Sequence, residues 1–168
     1  AVTGVQTCAL PISPTIANGA QYFASSLYTG NGSAVTVNNG SNNNSLTTFA
    51  PDFVWIKSRS AASSHSLYDT VRGSNKRLVS DATDAEQTIT TLLTSFNTNG
   101  FSVGSAGTGN TDGATYVAWQ WKGGGTAVTN TSGTITSSVS ASTTAGFSIA
   151  TFTQLSDRKS TRLNSSHG

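Results

Sequence analysis

Residues 115–122 read Thr-Tyr-Val-Ala-Trp-Gln-Trp-Lys. Extended chain sorts these side chains by parity, so Val117, Trp119 and Trp121 share one face and Tyr116, Ala118 and Gln120 the other. This is the most strongly patterned stretch of the chain, and it predicts a strand. Because Trp119 and Trp121 share a face, they are buried together or exposed together. We expect burial; exposure would instead make them a surface on which a sugar ring stacks.

The same pattern continues outward. Upstream, the glycine loop 104–113 (GSAGTGNTDG) reads as a flexible strand connection without the spacing of a nucleotide fingerprint. Before it, 92–96 and 101–103 face each other across Asn97-Thr98-Asn99-Gly100, where Asn-Gly supplies a hairpin turn. Phe53-Val54-Trp55-Ile56 is a run of large apolar residues, which predicts a central strand buried on both faces, with Trp55 in the core. Residues 21–29, 33–37 and 66–71 read as further strands, 38–45 as a polar loop, 72–77 (RGSNKR) as a basic loop, and 81–87 as one helical turn capped by Asp81. No stretch holds a 3.6-residue period for three turns.

The chain has 168 residues, 35% hydrophobic and 10% charged, with a net charge of +2 and one cysteine. Charge this sparse, against about 25% in an average domain, argues against a nucleic-acid partner, and no apolar run approaches a membrane span. Read as codons, the two ends are reverse complements. CAC for His167 gives GTG for Val2, AGT for Ser166 gives ACT for Thr3, and the register runs unbroken to GAT for Asp157 and ATC for Ile12. Base complementarity has no folding rationale, so residues 1–13 and 156–168 are expected to be translated sequencing adapter, read once on each strand. Without them Lys57, Arg59, Arg72, Lys76, Arg77 and Lys122 balance Asp52, Asp69, Asp81, Asp84, Glu86 and Asp112, and Cys8 drops out.

Short strands with turns every 8–12 residues or so define an all-β, antiparallel two-sheet β-sandwich, for which a jelly roll is the expected connectivity. We expect the sandwich domain over 14–125, a linker or edge segment over 126–145, which is poor in apolar volume, and the start of a truncated second domain over 146–155.

An ordered series of motifs carries a family resemblance. Tyr28-Thr29-Gly30-Asn31-Gly32, Pro51-Asp52-Phe53-Val54-Trp55-Ile56-Lys57, Ser64-His65-Ser66-Leu67-Tyr68-Asp69, Val71-Arg72-Gly73, Asn99-Gly100-Phe101-Ser102-Val103-Gly104 and 116–122 follow one another. Together they resemble a concanavalin-like sandwich domain found in tail-fibre and other structural proteins of marine bacteriophages. The resemblance implies a virion location (an extracellular one is the alternative), contact with other virion proteins and with cell-surface glycans, and a homo-oligomer, a trimer in the full-length fibre. It carries no catalytic residues to transfer.

His65 with its serine neighbours and Asp69 invites a Ser-His-Asp reading, but no nucleophile elbow or oxyanion-hole motif accompanies it. Asp81, Asp84 and Glu86 lie in one polar stretch, without the paired placement of a glycosidase or the spacing of a calcium loop. We therefore expect no catalytic residue, no metal and no cofactor. The residues singled out for ligand contact are Arg72, Lys76 and Arg77 of the basic loop, for an anionic group, and Trp119 and Trp121. The expected function is a non-enzymatic structural or host-recognition module of a phage virion protein. A lectin-like carbohydrate-binding module is the alternative, ahead of a concanavalin-like glycoside hydrolase.

Overall fold

The computed structural model describes residue 16 and residues 18–40, 48–105 and 107–153. The adapter-like ends, 1–13 and 156–168, lie outside the described residues, as do residues 41–45 of the polar loop.

Strands β1 (Phe23–Thr29), β2 (Val35–Asn38), β3 (Phe53–Ser58), β4 (Ser66–Asp69), β5 (Gly73–Leu78) and β6 (Gln87–Thr88) lead to the hairpin of β7 (Leu93–Asn97) and β8 (Gly100–Val103). After one helical turn, α1 (Gly107–Asn110), come β9 (Thr115–Trp121), β10 (Val128–Asn130), β11 (Ser137–Ser142) and β12 (Phe147–Phe152). They form three antiparallel sheets, in the orders β1-β9-β3-β4-β5-β6, β2-β8-β7 and β10-β11-β12. The first two sheets pack face to face. Val54, Ile56, Tyr68, Tyr116 and Ala118 from the large sheet meet Val37, Leu93, Phe101 and Val103 from the small one, with Leu92 beside them, in one core. The expected all-β two-sheet sandwich is the fold, and the patterned strand, β9, lies inside its larger sheet between β1 and β3.

The face assignment of that strand is corrected. Tyr116, Ala118 and Gln120 point into the core, whereas Val117, Trp119 and Trp121 lie half-buried on the outside. The inner face carries one polar side chain, Gln120, whose Nε2 has a partner while its buried Oε1 has none among the described residues. Gln120 Nε2 donates to Ser26 Oγ at 2.9 Å, and Ser26 Oγ donates in turn to the Asn38 carbonyl. Strand β3 is likewise not buried on both sides. Its burial alternates, with Val54 and Ile56 inside and Phe53, Trp55 and Lys57 outside, so Trp55 is not a core residue.

Three segments expected to be irregular or helical are also corrected. The basic stretch 72–77 is largely strand β5: Asp69 Oδ1 accepts the Arg72 N–H at 2.8 Å, and Gly73 at φ +107° reverses the chain. Residues 81–86 form no helix, because Asp81 Oδ1 takes the backbone N–H of His65 instead of capping a turn. The glycine loop is pinned by Asn110, which is 1% exposed; its Oδ1 accepts the Asn31 N–H and its Nδ2 donates to the carbonyls of Gly104 and Ser33.

Strands β10 and β11 of the expected linker 126–145 and β12 of the expected second-domain start, of which residues 146–153 are described, form one three-stranded meander, since β11 pairs with both β10 and β12. Small residues suffice there because the meander rests on a face the sandwich supplies. Gly124 lies so close to the Ala141 backbone that a Cβ would fall 2.0 Å from its carbonyl oxygen.

Candidate functional site

The outer face of the six-stranded sheet is read row by row from strand register, because directly paired residues point the same way. The first row is Phe23, Trp121, Phe53 and Asp69, on β1, β9, β3 and β4. The second is Ser25, Trp119, Trp55, Leu67 and Leu78, the last on β5. The third is Leu27, Val117 and Lys57. All three tryptophans of the chain therefore stand on one sheet face.

The meander covers Trp121 and Phe53 of the first row and leaves Phe23 at its end exposed. Phe147 stacks on Trp121 with centroids 6.0 Å apart and lies 6.1 Å from Phe53, and Ile149, on the same strand β12, is buried. Between β12 and the sheet runs a groove bordered by Leu67, Leu78 and Phe152. The other rows stay open toward Leu27, which is 51% exposed.

Within that open part Trp55 is held from two sides. Its ring meets Trp119 edge to face at 5.8 Å and His65 at 5.5 Å, and its Nε1–H donates to His65 Nδ1 at 2.8 Å. With Nδ1 accepting, neutral His65 carries its proton on Nε2. The histidine is anchored through its backbone, whose N–H reaches Asp81 and whose carbonyl accepts from Arg77. Lys57, two residues beyond Trp55, donates from Nζ to the Ser63 carbonyl at 2.7 Å, which brings its ammonium to the loop that carries His65. Among the described residues no carboxylate pairs with Lys57.

The cations expected to meet a ligand are engaged elsewhere. Arg72 Nε lies 2.6 Å from the Asp69 carboxylate and its Nη1 reaches Glu86. Arg77 is buried, donating to Ser66 Oγ and Gln87 Oε1. Lys76 donates to Thr88 Oγ1 and sits 3.8 Å from Glu86. The structure thus brings Trp119 and Trp121 onto one surface and places the basic trio at the far strands of the same sheet, on internal partners. His65 and Asp69 are not brought together as a catalytic pair, since His65 Nδ1 is taken by Trp55 and Asp69 by Arg72. Among the described residues no group of three or more His, Cys, Asp or Glu could hold a metal ion.

The sequence reading places Trp55 in the core and offers His65 only for a Ser-His-Asp arrangement, and neither they nor Lys57 are among the residues singled out for ligand contact. The available signal was Lys57. Phe53, Trp55 and Lys57 alternate on one face, and a lysine in register with two aromatics marks a face that reaches water.

The fold and this surface define a class: an antiparallel β-sandwich with an aromatic outer sheet face partly covered by its own C-terminal meander. A family model described as a domain of unknown function, DUF7483, matches residues 18–167, and the chain belongs to that family. No curated protein and no solved structure matches it.

Proposed function

We propose that this chain is a non-enzymatic recognition and structural module, of the kind that phage virion proteins present to a host surface, and that it contacts its target through the outer face of the six-stranded sheet. One observation carries the reading: Trp55 and Trp119 stand half-buried on the part of the face that the meander leaves open, beside exposed Leu27, instead of filling the core. A soluble domain rarely leaves so much contiguous aromatic surface without a use for it. Half-exposed tryptophan with polar neighbours suits a sugar ring, whose C–H face stacks on the indole while its hydroxyls reach side-chain donors. The engagement of His65 and Asp69 with other residues supports a role without catalysis.

The test is a glycan array probed with the whole chain beside its Trp119→Ala variant. Signal that is lost in the variant supports the reading; no signal above an unrelated sandwich protein removes it.

A further inference from the structure

Lys57 gives the open rows a chemical preference. The third row is apolar on β1 and β9, with Leu27 and Val117, but at β3 it ends in an ammonium group that no carboxylate among the described residues neutralises. Beside it, in the 59–65 loop, neutral His65 offers an Nε2–H, because Nδ1 is occupied by Trp55. Both groups are donors. The nearby carboxylate, Asp81, is turned to the backbone N–H of His65. Adjacent strands lie about 4.8 Å apart, so the row from Leu27 to Lys57 spans about 10 Å, room for a disaccharide with one end on apolar surface and the other at the ammonium.

We infer that the surface formed by Trp55, Trp119, Val117, Lys57 and His65 binds a saccharide bearing a carboxylate, the sugar ring resting on the indoles and the carboxylate meeting Lys57 Nζ. This rests on the aromatic-platform reading above and adds the charge of the ligand. The basic residues 72–77 do not supply it, since Arg72 and Lys76 face carboxylates and Arg77 is buried on neutral acceptors. Lys57 keeps ammonium hydrogens to spare after its one bond to the Ser63 carbonyl.

The experiment uses the full chain on an array printed with uronate- and sialate-bearing glycans, each beside its own methyl ester, and with neutral glycans, followed by titration of the best acid and ester pair. A hydrogen bond to a charged group contributes about 1.5 kcal/mol or more, so the acid should bind at least about tenfold tighter than its ester, and less tightly as salt is added. Lys57→Gln should remove most of that preference, Lys57→Arg should keep it, and Trp119→Ala should weaken acid and ester alike, all three variants keeping the wild-type circular dichroism. Equal binding of acid and ester, a preference unchanged in Lys57→Gln, or binding of neutral glycans alone overturns the carboxylate inference and leaves the platform standing. Silence across the whole array overturns both.

Discussion

Arg77 and Lys76 are neighbours in sequence and opposites in environment. On β5 consecutive side chains point to opposite faces, so Arg77 enters the protein and Lys76 stays at its surface. Arg77 is 7% exposed, with its guanidinium spread over Ser66 Oγ, Gln87 Oε1 and the His65 carbonyl. Removing it strands those acceptors and leaves the space of a long stem, so Arg77→Ala should cost about 2–3 kcal/mol. Lys76 reaches Glu86 only at 3.8 Å, with both side chains more than a third exposed, and Lys76→Ala should change stability by less than about 0.5 kcal/mol. Urea unfolding of the two variants side by side measures the contrast; equal effects would mean that the β5 alternation is misassigned. Composition could not separate the two, because the run RGSNKR resembles a solvated turn until strand parity is applied to it.

At the element scale the β7–β8 hairpin is the most demanding joint. Gly100 holds φ +148°, and a Cβ there would fall 2.0 Å from the Val37 carbonyl oxygen, where β2 pairs with β8. Gly100→Ala therefore meets both backbone strain and a clash with an atom fixed in a ladder, and should cost at least about 2 kcal/mol in urea unfolding. A loss under half of that would show that the turn relaxes without disturbing β2. This hairpin was legible in the sequence, since Asn-Gly between two apolar runs names its own turn. So were β1, β3, β4 and β9, which carry large or β-branched residues. The faces of β9 were less legible, because alternation states that two faces exist without saying which is inside. Two tryptophans on one face favoured that face as the inner one, whereas the partner that lets Gln120 point inward, Ser26, lies far away in sequence, on β1. The meander was least legible. Its strands are Ser, Thr and Ala with few anchors, and what orders them is the aromatic row they lie against, above all Phe147 on Trp121. That contact is long-range, and no local pattern reports it.

For the whole molecule, the core between the two main sheets contains phenols as well as hydrocarbon. Tyr68 is 1% exposed, and burial pushes its hydroxyl up to about 12. Tyr28, whose Oη donates to the Gly109 carbonyl at 2.8 Å, is raised further still by burial. Unfolded, both groups titrate near their ordinary value of about 10. Below that pH both states hold the protons and stability does not depend on these groups. As pH rises above about 10 the unfolded chain gives up protons that the folded protein keeps, so stability falls by about 1.4 kcal/mol per pH unit for each phenol, for Tyr68 until its folded value is passed. The urea midpoint should therefore be flat through neutral pH and drop above about pH 10, with tyrosinate absorbance from these residues appearing only on unfolding. Tyr68→Phe should make the alkaline decline shallower at little cost at neutral pH, because the Tyr68 hydroxyl is a buried group with no hydrogen-bond partner among the described residues. If the midpoint stays level well above pH 10 while all the tyrosines titrate in the folded protein, these phenols reach water, and the two sheets do not close over them as described.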